Sequence, residues 1–126
     1  MNKTCFEPTV LMEVPAAARA MSEELFGPVV CVSSFADLDS AITLANGVSW
    51  QFQASIYTSD LDRALKAGLK LHASAVMINE STSFRVDWMP FRGDGPSGFG
   101  TGGIGFSIKD LIREKMLVMK SAEVQF

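Results

Sequence analysis

The chain has 126 residues, a formal net charge of −3, 48% hydrophobic residues and a mean hydropathy of +0.20. That length fits one domain with its own core, and the scattered Lys and Arg exclude the basic stripe of a nucleic-acid binder. With nine Phe and seven Met, the composition predicts apolar surface left over for a partner.

Pro8 to Val14 reads as a short strand closed by Pro15, and Ala16 to Glu24 as an Ala-rich helix. Gly27-Pro28 stops that helix, because Pro cannot continue it. Pro28 to Phe35, with the apolar run Val29-Val30-Cys31-Val32, predicts a buried parallel strand. Asp37 to Asn46 predicts a helix with Leu38, Ala41, Ile42 and Ala45 on one face and Gly47 as its stop. Phe52 to Thr58 returns to strand. Ser59 or Asp60 then caps a helix through Leu71, whose expected buried stripe is Leu61, Ala64, Leu65 and Gly68. Ala73 to Asn79 is a third strand of this series. Strand-helix-strand-helix-strand predicts two consecutive right-handed crossovers in a parallel sheet. Ligands of such sheets sit beyond the carboxyl ends of the strands.

Glu80 to Gly105 predicts a long loop, with glycine at 93, 95, 98, 100, 102, 103 and 105. Loops of that length in a small domain are usually functional or disordered. Ser107-Ile108-Lys109-Asp110 then looks like a capping box, followed by a short helix to about Glu114 and a last strand, Met116 to Met119.

The turn Glu23-Glu24-Leu25-Phe26-Gly27-Pro28-Val29 carries the first chemistry. A carboxylate at such a turn can accept hydrogen bonds from two neighbouring hydroxyls, as a ribose diol presents them. An aromatic two residues on offers a flat apolar face. The alternative local reading is a solvated helix end.

Several pieces, in order, resemble one family. They are Pro8-Thr9-Val10, the Glu23 to Val29 stretch, Phe35 before a helix ending Ala45-Asn46, and Ala54 to Thr58 with Asp60 to Ala64. Met89-Pro90-Phe91 and Ser97-Gly98-Phe99-Gly100 complete the set. Together they resemble the C-terminal end of NAD(P)-dependent aldehyde dehydrogenases, across essentially the whole chain. The resemblance implies an α/β fold: a partial three-layer αβα arrangement with parallel strands, plus a C-terminal oligomerisation strand. Residues 1–105 would be the end of the catalytic domain, and 106–126 a helix and oligomerisation tail. It also implies oxidation of an aldehyde to an acid with NAD or NADP in the complete enzyme, and a dinucleotide-binding domain outside this stretch. Glu24 would bind the nicotinamide ribose and Phe26 pack beside it. Phe91 and the Ser81 to Trp88 loop would line the aldehyde tunnel, and the last strand would join a neighbouring subunit as a homo-oligomer. After Phe91 the family's Gly-Gly-x-Lys-x-Ser-Gly pattern is replaced by Arg92-Gly93-Asp94-Gly95-Pro96-Ser97-Gly98.

Phe84-Arg85-Val86-Asp87-Trp88 is similar to the branch of that family handling small anionic aldehydes. There Arg85 could fork onto a phosphate, phosphonate or carboxylate, or pair within the loop with Asp87. No nucleophile is assigned. Cys31 lies in an apolar strand where a thiol is inert, and Cys5 stands near the start of the chain in the wrong motif. The two cysteines form no disulfide framework or zinc spacing, and the start, Met1 to Cys5, has no signal-peptide core, so a cytoplasmic setting is expected. No apolar run spans a bilayer. His72, at a helix end, suits a capping role rather than a metal site. Gly98 to Gly103 matches G-x-G-x-x-G formally, but comes after a loop instead of a strand and is expected to serve packing. On this reading the chain is catalytically incomplete alone. The alternatives are an interaction or decoy subunit that assembles with full-length relatives, and an independent phosphate-binding module.

Overall fold

The computed structural model describes residues 4–49, 52–120, 122 and 123; Met1 to Lys3 and the end of the expected tail lie outside them. Four short strands and three helices come in the order β1 (Thr9–Met12), β2 (Val29–Val32), α1 (Leu38–Asn46), β3 (Gln53–Ile56), α2 (Leu61–Lys70), β4 (Ala75–Ile78) and α3 (Ile104–Leu111). β1 pairs with β2 in parallel, Thr9 opposite Val29, and β3 with β4 in parallel, Gln53 opposite Ala75.

The α/β class is as expected, but the strands do not form one sheet. Among the described residues β2 takes β1 as its partner and is not paired with β3, so of the two expected crossovers only β3-α2-β4 lies within one sheet. Sequential strands are neighbours only about two-thirds of the time. The helix-strand alternation therefore fixed the elements and not their order across the sheet.

α1 begins where its chemistry demands. The Asp37 carboxylate accepts from the Ser40 N–H at 2.8 Å, and the Ser40 hydroxyl accepts from the Asp37 N–H at 3.2 Å, closing a capping box. These bonds, from the Ser40 backbone first, hold the Asp37 carboxyl below its usual range. Asp60 caps α2 by accepting from the Arg63 N–H at 3.1 Å. The buried face of α2 is Ala64 and Ala67, while Leu61, Leu65 and Gly68 are exposed, which corrects the expected stripe. Of the expected stripe Ala64 alone is buried, and small residues let the helix approach β4 closely. Asp39 on α1 pairs with Lys66 at 2.6 Å and Lys70 at 3.2 Å on α2.

Between β1 and β2 the expected helix over Ala16–Glu24 shrinks to one 3-10 turn, Arg19–Met21. The turn ends at Ser22, whose N–H donates to the Arg19 carbonyl, well before Gly27-Pro28. At the far end, α3 starts at Ile104 with Gly103 as its N-cap and stops at Leu111, so Ser107 lies inside the helix and caps nothing. Among the described residues Met116 to Met119 forms no strand and no ladder, and its side chains are exposed.

The buried apolar side chains among the described residues are Ile42, Ala64, Ala67 and Met77. The accessible surface is 10692 Å², where a closed monomer of this mass exposes about 6,600 Å². The expectation of apolar surface in excess is met.

Candidate cofactor and substrate site

The turn entering β2 separates its two carboxylates. Arg19 donates to Glu23 through Nε at 2.9 Å and Nη2 at 2.7 Å, a forked pair on one turn of chain. The Arg19 hydrogen bonds hold the Glu23 carboxyl below its usual range, and Glu23 holds the Arg19 guanidinium above its own. Glu24 is exposed and makes no side-chain bond among the described residues. Two residues on, Phe26 is 95% exposed and, with Phe6 and Leu25, lines an open groove of about 480 Å³ beside Gly27 and Pro28. One carboxylate is committed, and the other stands free next to an uncovered aromatic.

Arg85 and Phe91 are brought together. The guanidinium carbon of Arg85 lies 4.5 Å from the Phe91 ring centroid, and Nη2 donates to the Met89 carbonyl at 3.0 Å. The intra-loop pair of Arg85 with Asp87 does not form; the ion pairs of the described residues leave Asp87 out. Phe91 is fixed on its other side by an edge-to-face contact with Phe52, ring centroids 5.0 Å apart, and by a backbone bridge to Gly102. Sequence reasoning missed both Phe52 and the Met89 carbonyl; nothing in their local pattern marks them. None of the hydrogen bonds or ring contacts of the described residues joins the Glu24–Phe26 pair to Arg85 and Phe91.

The glycine loop is packed. A Cβ on Gly93 would collide with the Ser97 carbonyl, and one on Gly103 would meet the Met89 carbonyl at 2.9 Å. Gly98 to Gly103 runs from a 3-10 turn through the Phe91 bridge into α3, without a preceding strand. Arg92 takes the place of a family glycine without a left-handed backbone. It pairs with Asp94 at 3.5 Å, and its carbonyl accepts from the Ser74 hydroxyl next to β4, so the loop docks despite the change.

Cys31 is half-buried in β2 with its sulfur 3.7 Å from the Ala20 carbonyl, and Cys5 is exposed. The end of α2 is capped by Asn46, which donates to the Lys70 carbonyl at 2.8 Å and accepts from the His72 N–H at 2.9 Å; the expected capping imidazole is replaced by an amide from α1. Among the described residues no three His, Cys, Asp or Glu side chains are grouped to hold a metal, and no helix is long and apolar enough to cross a membrane.

A turn with one free carboxylate and an aromatic thus stands ahead of a parallel strand, and a glycine-rich loop follows the last strand, on an α/β frame. The profile of the aldehyde dehydrogenase family matches residues 1–117, and this chain belongs to that family. The chain is 39% identical over 123 residues to the NADP(+) succinate-semialdehyde dehydrogenase of Deinococcus radiodurans, covering 94% of this chain and 26% of that protein. Among solved structures, aldehyde dehydrogenase 21 of Physcomitrella patens, in complex with the reaction product succinate, superposes with a TM-score of 0.85. It is 33% identical, over 99% of this chain and 26% of that one. The NADP-dependent glyceraldehyde-3-phosphate dehydrogenase of Bacillus halodurans, complexed with NADP, gives a TM-score of 0.72. There the identity is 42%, over 76% of this chain and 20% of that one. The chain thus spans about a quarter of the length of the relatives it matches.

Proposed function

We propose that these residues supply the nicotinamide-ribose contact and part of the aldehyde tunnel of an NAD(P)-dependent aldehyde dehydrogenase. The observation that carries this reading is the division between Glu23 and Glu24: Arg19 occupies the first, leaving the second free beside Phe26. A free carboxylate accepts both hydroxyls of a ribose diol, and the exposed ring gives the sugar an apolar face. Arg85, held over Phe91, presents a guanidinium to an anionic group on the aldehyde. Two of the matched proteins are named for succinate semialdehyde and glyceraldehyde 3-phosphate, both anionic. Covalent aldehyde oxidation also needs a thiolate, a bound nicotinamide to take the hydride, and a base that activates water. On this reading polypeptide other than these 126 residues supplies them. That polypeptide also covers the excess apolar surface, and the tail, residues 106–126, docks on a neighbouring subunit. A cytoplasmic setting suits the two free thiols.

The test uses a complete dehydrogenase carrying these residues as its carboxyl-terminal part. Glu24→Gln should raise the KM for NAD(P)+ about ten- to a hundredfold, the loss of a charge-assisted contact of about 1.5–3 kcal/mol. Glu23→Gln should leave it within about threefold. Equal effects of the two substitutions would reject the assignment.

A further inference from the structure

Both parallel pairs end in the same device. After β1, Glu13 takes a left-handed backbone, φ 48°, donates its N–H to the Val32 carbonyl, and accepts the Ser34 N–H on its side chain. After β4, Asn79 takes φ 57°, donates its N–H to the Ile56 carbonyl at 2.8 Å, and accepts the Thr58 N–H at 2.7 Å. Asn79 adds a second bond, donating to the Thr58 carbonyl at 2.9 Å. Asn is the non-glycine residue best suited to left-handed backbone, because its short amide bonds locally. Each device sits at the carboxyl end of its strands, where open α/β sheets bind ligands.

The Asn79 clasp differs in the segment it anchors. The next residue, Glu80, offers its carbonyl to the Ser55 hydroxyl on β3, and the chain then turns, the Phe84 N–H reaching the Ser81 carbonyl and the Met89 N–H the Val86 carbonyl. The segment from Glu80 to Phe91 stands on two feet: Asn79 with Ser55 at one end, and Phe91 on Phe52 and Gly102 at the other. Arg85 lies between them and folds back over the second foot.

We infer that Asn79 is a positioning residue for the substrate loop, its left-handed two-point clasp on Thr58 setting where Arg85 stands over Phe91. The inference rests on the reading of Arg85 as the anion contact. Asn79→Gly keeps the left-handed backbone available and removes both side-chain bonds. Asn79→Asp keeps the acceptor for the Thr58 N–H but turns a carboxylate oxygen toward the Thr58 carbonyl.

Amide hydrogen exchange is measured on the full chain, and kinetics on a complete dehydrogenase carrying it. In both variants the amides of Phe84 and Met89, and in Asn79→Gly also that of Thr58, should exchange about tenfold faster or more, with β1, β2, β3 and β4 unchanged. Asn79→Gly should raise the KM for an anionic aldehyde about tenfold and leave that for a neutral aldehyde within about twofold. Unchanged exchange at Phe84 and Met89 would overturn the inference whatever Arg85 does. Lost protection across β3 and β4 in both variants would also overturn it, since Asn79 would then be holding the sheet. Equal KM changes for both aldehydes in Asn79→Gly, while Arg85→Ala is selective, would overturn it too. If Arg85→Ala is itself unselective, the reading of Arg85 fails, and the exchange at Phe84 and Met89 alone decides whether Asn79 positions the loop.

Discussion

Arg85 covers one face of the Phe91 ring, its guanidinium carbon 4.5 Å from the centroid, while its Nη2 is spent on the Met89 carbonyl at 3.0 Å. The two residues proposed to meet the aldehyde are therefore one surface, with the remaining guanidinium N–H groups available to an anion. A cation–π contact at an exposed site contributes about 0.5–1 kcal/mol, enough to bias the arginine toward one pose.

From that geometry Arg85→Ala, in a complete enzyme carrying this sequence, should raise the KM for an anionic aldehyde roughly ten- to a hundredfold and spare a neutral one. Arg85→Lys should recover little of the loss, since an ammonium cannot stack and fork as a guanidinium does. Steady-state kinetics on paired aldehydes decide it. Equal losses on both would make Arg85 a structural residue.

The Arg19–Glu23 pair predicts a pH signature. Glu23 titrates below its usual range because Arg19 hydrogen-bonds its charged form. Its contribution to folding is present above the ordinary Glu range, about pH 4.3, and is lost as pH falls through the depressed folded value. Carboxyl NMR titration should show the Glu23 midpoint rising in Arg19→Ala. An unmoved midpoint would mean the pair is not populated in solution.

Asp39 is held low in the same way, first by Lys66 and then by Lys70. Asp39→Asn should lower the thermal midpoint slightly near neutral pH, by loosening α1 against α2. The gap to the parent chain should close as pH falls through the depressed Asp39 value, because protonation removes the same charge. A gap that persists in acid would assign the effect to something other than these lysines.

Much of this fold is legible in the sequence, because the signals are local. Asp37 and Asp60 as caps, Gly47 as a stop, and the apolar runs at Val29 and Ala75 each mark an element without reference to the rest. The Glu24–Phe26 stretch is readable as a motif, but the helix expected to run up to Gly27-Pro28 ends at Met21. What local signals do not carry is partnership. Which strand lies beside β2, which face of α2 meets β4, and whether Met116 to Met119 forms a ladder all depend on distant chain. The α2 leucines misled because a composition this apolar puts hydrophobic residues on both faces. Asn79 gives only a faint signal, a lone Asn after a strand, whose left-handed role emerges once Thr58 is beside it.

The tail offers a separate test. Met116, Leu117, Val118 and Met119 are all more than 70% exposed and carry no ladder. An exposed apolar segment of this kind recruits another chain. In analytical ultracentrifugation across micromolar concentrations, the intact chain should self-associate, and deletion of residues 116–126 should shift it toward monomer or insolubility. A well-behaved monomer of the intact chain would count against the tail as an interface.

The most direct measurement mixes the purified chain with NAD(P)+ and a panel of aldehydes and tracks reduced-nicotinamide absorbance. On the proposed reading the chain brings a ribose contact and part of a tunnel; one carboxylate on two hydroxyls supplies a few kcal/mol at best, whereas even a millimolar complex needs about 4 kcal/mol net. Cys31 is half-buried in β2 with its sulfur against the Ala20 carbonyl. The account predicts absorbance at the level of a no-protein control. Turnover that disappears in Cys31→Ser or Cys5→Ser protein would contradict it and place the nucleophile inside these 126 residues.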